Sequence, residues 1–195
     1  LEGESLAERL KKDPPLELAE ALRVMCDLCA AVDAVHARGV IHRDIKPANI
    51  FLTTAGQVLL MDFGIALANQ TQERLTRTDL LMGTPAYFSP EQAAGAWSQV
   101  GPAADIYALG VVLYELLGGQ PPFSGPPGVI IGNILHQAPP PLVSRYPECN
   151  QLLVDICERA MAKNQTERYG NGAAFRAAIQ DWLTATIPRC RSVDT

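Results

Sequence analysis

In the stretch HRDIKPANIFLTTAGQVLLMDFG, from His42 to Gly64, two carboxylates (Asp44 and Asp62) share a short segment with an ammonium, Lys46, and an amide, Asn49. Those groups suit the movement of a phosphoryl group from a Mg-nucleotide onto a hydroxyl. The hydroxyl is weakly acidic, so such a transfer rests mainly on positioning and electrostatics, with one carboxylate orienting the nucleophile and accepting its proton. Asp44 fits that role. Lys46 points the same way from an extended segment and can offset charge on the transferring group. Asn49 and Asp62 are hard oxygen donors of the kind Mg²⁺ takes alongside phosphates and water. Gly64, after Asp62-Phe63, frees the backbone to turn into the next loop.

These residues need elements to hold them. Val40–His42, Ile50–Thr53 and Val58–Met61 are short β-prone segments, and a turn around Ala55-Gly56 makes the last two a β-hairpin. Upstream, Leu18, Leu22, Met25, Cys29, Val32 and Val35 recur with helical spacing, which predicts a helix from Leu18 to His36 between Asp13-Pro14-Pro15 and Gly39. Ser5 is a good N-cap for a short helix to Lys11. Ala103 to Leu117 is apolar nearly all round, the pattern of a helix buried within a domain, and Gly118-Gly119 ends it. Further helices are expected at Val129–His136, Gln151–Lys163 and Gly172–Thr184, with Pro139-Pro140-Pro141 as an extended connector. Asn69 to Asp79 is polar, without hydrophobic period, and reads as a loop. The tail from Ile187 is short and polar.

At 195 residues, 48% hydrophobic and 19% charged, the chain has room for a hydrophobic core of ordinary composition. A net charge of −5 gives no basic footprint for nucleic acid and little attraction to anionic membranes. The five cysteines lack zinc spacing, and Cys26 and Cys29 sit inside a helical pattern, which favours buried thiols over a redox or metal pair. His36 and His136 read as surface or packing residues. The longest apolar run, Ile106 to Leu117, is too short to span a bilayer and is interrupted by Glu115.

His42-Arg43-Asp44 with Lys46, Pro47 and Asn49, then Asp62-Phe63-Gly64, Gly83-Thr84-Pro85 and Ser89-Pro90-Glu91, resembles the eukaryotic-like (Hanks-type) serine/threonine protein kinase family, in a bacterial form. The resemblance runs from Leu1 to about Leu183. It implies a mainly α fold: the helical C-terminal lobe of a kinase domain over residues 1–185, with a small β-hairpin carrying the catalytic and metal-binding loops, and a tail over 186–195. It implies ATP and Mg²⁺ (or Mn²⁺) as cofactors, with Asp44 as base, Lys46 as the phosphate-side cation, Asn49 and Asp62 as metal ligands, and Phe51 beneath the adenine. Lys46-Pro-x-Asn and Thr84 are similar to the Ser/Thr-specific version of these segments.

By the same resemblance, Thr76 and Thr78 are autophosphorylation sites and Arg43 is the arginine that pairs with such a phosphate. The other reading of the two threonines is unmodified loop residues. Gly83 and Thr84 would dock substrate. Asp105 resembles the aspartate that holds the catalytic-loop backbone from below, and Glu91 with Arg168 resembles a buried ion pair. His42 and Phe63 are expected to pack rather than catalyse.

The implied partners are protein substrates, a second kinase copy, and an N-terminal lobe. That lobe's glycine-rich loop and ATP-pairing lysine have no counterpart in these residues, so the chain alone is expected to be inactive. The alternatives are a non-catalytic regulatory or docking fragment and a small-molecule phosphotransferase. A cytoplasmic location is expected, any membrane anchor lying outside these residues.

Overall fold

In chain order the elements are β1 (Gly3–Ser5), α1 (Leu6–Arg9), α2 (Leu18–His36), β2 (Ile50–Thr53), β3 (Val58–Leu60), α3 (Pro90–Ala93), α4 (Pro102–Gly118), α5 (Pro127–His136), α6 (Gln151–Ala160) and α7 (Gly172–Thr186). The computed structural model describes residues 2–12, 16–62, 85–146 and 149–186. The Asp13-Pro14-Pro15 break, the polar loop and the tail expected from the sequence lie outside them.

The helices follow their apolar periodicity. Leu22, Met25, Cys29 and Val32 line one face of α2, and all four are buried. α4 is buried on nearly every side, with Leu109, Val112 and Leu113 fully enclosed, as its all-round apolar sequence requires. It packs between α2 and α6, while α7 lies along α2. Close approach of α6 depends on Gly110, where a Cβ would stand 2.8 Å from the Ala160 Cβ. α4 stops at Gly119, which takes the left-handed conformation (φ 77°) and donates its N–H to Glu115 O. Ser5 caps α1 in a reciprocal capping box with Glu8.

The small sheet exceeds the expected hairpin. β2 and β3 pair antiparallel with Phe51 opposite Leu59, and β1 adds a third strand with Ser5 opposite Phe51. β1 is too short to carry an alternating pattern, so periodicity cannot show it. Val40–His42 is not a strand. The His42 N–H donates to the Asp105 carboxylate instead of a neighbouring strand, at 2.8 Å. α6 ends at Ala160, short of Lys163: the Ala162 N–H turns to Arg159 O, three residues back, and the Ala162 and Lys163 carbonyls then accept from the Arg168 guanidinium.

Candidate functional site

Arg43 adopts a left-handed backbone (φ 66°), uncommon for a residue with a side chain, and therefore needs its surroundings to hold it. Asp105, 1% exposed in the first turn of α4, supplies much of that hold. Its Oδ1 accepts the Arg43 N–H at 2.8 Å, and its Oδ2 accepts the His42 N–H at 2.8 Å. His36, at the end of α2, donates Nε2–H to the same Oδ2 at 2.7 Å. The carboxylate thus ties α2, α4 and the loop to one point.

His42 is fully buried and links two segments. Its Nε2 lies 3.0 Å from Met61 O, a group that can only accept, so Nε2 carries the proton. Nδ1 is then the acceptor for the Asp44 N–H at 3.3 Å. The Met61 N–H donates to Asn49 O at 2.8 Å. Both peptide groups of Met61 are therefore fixed against the loop, and Asp62 follows directly in the chain. Asp62 is exposed and also left-handed (φ 53°).

The Asp44 carboxylate accepts from Lys46 Nζ at 2.8 and 3.1 Å and from Asn49 Nδ2 at 2.9 Å. Asn49 Nδ2 also donates to Asp44 O at 2.8 Å. With its NH₂ engaged there, Asn49 keeps Oδ1 as an acceptor for a cation. Pro47 starts the tight turn Pro47–Asn49 that folds Asn49 back towards Asp44. The Asp44 side chain is 31% exposed, so the group is anchored yet reachable. Phe51 lies in β2, half-buried, between β1 and β3.

Glu91 and Arg168 meet in a bidentate pair at 2.8 and 2.9 Å, both side chains nearly sealed from solvent. Arg168 also donates to the Ala103, Ala162 and Lys163 carbonyls and stacks over the Tyr107 ring. Burial alone would raise the Glu91 carboxyl, but the hydrogen bonds and charge of Arg168 outweigh it and hold the group below the usual carboxylate range. Cys26 and Cys29 are free, buried thiols, and burial pushes both upward, the wrong direction for a nucleophile.

The structure thus gathers His42, Arg43, Asp44, Lys46, Asn49, Asp62 and Asp105 into one site, with the Glu91–Arg168 pair anchoring α3 nearby. Phe63, Gly64, Thr76, Thr78, Gly83 and Thr84 lie outside the described residues. Two contributors were not picked out by sequence reasoning. His36 reads as a surface or packing residue in the sequence, yet its Nε2 bonds to Asp105 at 2.7 Å. Gln92, whose Nε2 donates to Arg43 O at 2.8 Å, carries only the Ser-x-x-Gln capping-box spacing from Ser89, which marks a helix start and not the contact with Arg43.

Comparison with known proteins agrees with this geometry. Residues 1–183 match the family model described as protein kinase domain. The chain is 38% identical over 180 residues to the serine/threonine-protein kinase PknB of Mycobacterium leprae, covering 92% of this chain and 29% of that protein. It is 41% identical over 172 residues to the serine/threonine-protein kinase Pkn1 of Myxococcus xanthus, covering 85% of this chain and 24% of that protein. With the probable serine/threonine-protein kinase PknB of Bifidobacterium longum it shares 36% over 191 residues, 96% of this chain and 27% of that one. The chain therefore spans less than a third of the length of each of these relatives.

Proposed function

This chain belongs to the protein kinase family, and from that premise we propose that it carries the transfer chemistry of an ATP- and Mg²⁺-dependent kinase acting on serine and threonine hydroxyls of proteins. The observation that carries the reading is the Asp44 carboxylate, held by Lys46 and Asn49 yet open to solvent. Asp44 orients the acceptor hydroxyl and takes its proton as the oxygen attacks. Lys46, already paired with that carboxylate, is placed to offset charge on the transferring group. Asn49 Oδ1 and the Asp62 carboxylate are the donors that would hold the cation, and their hard-oxygen chemistry fits Mg²⁺ or Mn²⁺. When bound, the cation neutralises negative charge on the nucleotide phosphates.

The same reading assigns the floor of the adenine site to Phe51, substrate docking to Gly83 and Thr84, and autophosphorylation to Thr76 and Thr78, with Arg43 as the phosphate's partner. Residues 1–185 act as the C-terminal lobe and 186–195 as its tail. The glycine-rich loop and ATP-pairing lysine are assigned to a segment outside these residues, so the 195-residue chain alone is inactive. Association with a second kinase copy belongs to the same reading. No helix among the described residues is long and apolar enough to cross a membrane, and the proposed site of action is the cytoplasm.

The test is phosphate transfer from labelled ATP to a protein substrate by the natural polypeptide that contains these residues. Asp44→Asn should lower kcat at least about 10²-fold with the fold intact. Undiminished turnover in that variant would sink the assignment of the base.

A further inference from the structure

Gln92 is 2% exposed, and its two amide ends do different work. Oε1 accepts from Ser89 N at 3.0 Å and Ser89 Oγ at 3.2 Å, closing the capping box of α3. Nε2 points the other way and donates to Arg43 O at 2.8 Å, across 49 positions of sequence. The amide cannot be reversed, because its NH₂ would then face the Ser89 N–H and its oxygen a carbonyl. Its own backbone is steadied by the neighbouring Glu91, which Arg168 grips from the helical core.

The acceptor is a sensitive one. Arg43 O and Asp44 N belong to one peptide unit, immediately before the Asp44 side chain. Among the described residues, that unit is held on its amide side by the long 3.3 Å contact with His42 Nδ1 and on its carbonyl side by Gln92. The preceding Arg43 N–H is fixed to Asp105. A left-handed residue clamped at its N–H relaxes most easily by rotating the peptide that follows it. Such a rotation would swing the Asp44 carboxylate away from Lys46 and Asn49.

We propose that Gln92 is a positioning residue for phosphoryl transfer, orienting the Arg43–Asp44 peptide and through it the Asp44 carboxylate. The proposal rests on the kinase reading above. A cap role alone would need only the Oε1 end, so Gln92→Glu separates the two. A carboxylate keeps the acceptor for Ser89 but has no donor for Arg43 O. Ser89→Ala is the converse: it removes the hydroxyl from the cap and leaves the Gln92 to Arg43 contact in place.

The experiment compares these variants in the natural polypeptide containing these residues, by steady-state kinetics, thermal unfolding and residue-resolved amide exchange. Gln92→Glu should lower kcat about tenfold to a hundredfold, with KM for ATP and peptide within about twofold. It should also speed exchange of the Asp44 amide without speeding exchange across α4. The deficit should shrink as pH falls, because a buried carboxyl with a raised pKa regains a proton that it can donate to Arg43 O. Ser89→Ala should shift the thermal midpoint while leaving kcat and Asp44 exchange near wild type.

Wild-type kcat and exchange in Gln92→Glu overturn the proposal, as does a Ser89→Ala variant with the same kinetic and exchange defect. If Gln92→Glu does not fold, Gln92→Met gives the neutral comparison and must show the same rise in Asp44 exchange. If the wild-type protein transfers no phosphate, or Asp44→Asn matches it, the kinase reading fails on its own, and Asp44 exchange still decides whether Gln92 holds the loop.

Discussion

The loop from His42 to Asn49 and the α4 helix it rests on are held by different balances of apolar and directional contact. α4 is fixed by apolar contact: Leu109, Val112 and Leu113 are fully buried among α2, α6 and their neighbours. The loop sends Ile45 into the same core, but its backbone is set by directional bonds from distant residues, with Asp105 on two of its amides, Gln92 on a carbonyl, and His42 reaching to Met61. Apolar burial is non-directional and supplies free energy roughly in proportion to area. Hydrogen bonds contribute less net stability each but fix atoms within tenths of an ångström. The molecule therefore draws its stability mainly from the helices, and its precision from the polar residues that connect them to the loop. Asp105 sits in both regions, and its substitution is the informative one.

The sharpest break in this comparison is Arg168→Met, which leaves Glu91 buried without its partner. Chemical denaturation should show a loss of about 3–5 kcal/mol, as large as any apolar deletion although no apolar group is removed. The pair also sets an acid limb. The folded-state pKa of Glu91 is depressed, so its contribution is fully present above the ordinary carboxylate range. That contribution is lost as pH falls through that range towards the folded value. Arg168→Met should flatten this limb, because an unpaired buried carboxyl already favours its proton.

Next is Leu109→Ala, a cavity in the centre of α4, expected to cost about 3 kcal/mol by the same measurement. Its catalytic signature should be weak: below the unfolding temperature, kcat should remain within about threefold of wild type, because the loop bonds are untouched. Asp105→Asn should show the reverse balance. A neutral amide retains one acceptor for three donors, so stability should fall by only about 1–3 kcal/mol. The drop in kcat should nonetheless exceed that of Leu109→Ala. Equal kinetic defects in the two variants would erase the distinction between the regions.

Legibility followed the same division. The bounds of α2, Leu18–His36, coincide with its apolar period, and the β2–β3 hairpin follows its β-prone residues. The candidate residues between His42 and Asp62 stood out because their types cluster within one segment. Two remote contacts, Asp105 beneath the loop and Glu91 with Arg168, were legible only through the family resemblance, whereas His36 with Asp105, 69 residues apart, and Gln92 with Arg43, 49 apart, could not be read. Val40–His42 has strand-like residues but donates its His42 N–H to a carboxylate, a choice made 63 residues away. Local propensity yields to such contacts because one charged acceptor outweighs a short strand's weak preference.

The residue types and their spacing determined the family, the helical core and the candidate groups for the proposed transfer, since periodicity and functional-group chemistry are local properties of a chain. Only the tertiary structure decided how those groups are aimed. That aim depends on which distant donor reaches which backbone atom, and a hydrogen bond between elements exists only once the helices carrying its two ends have packed.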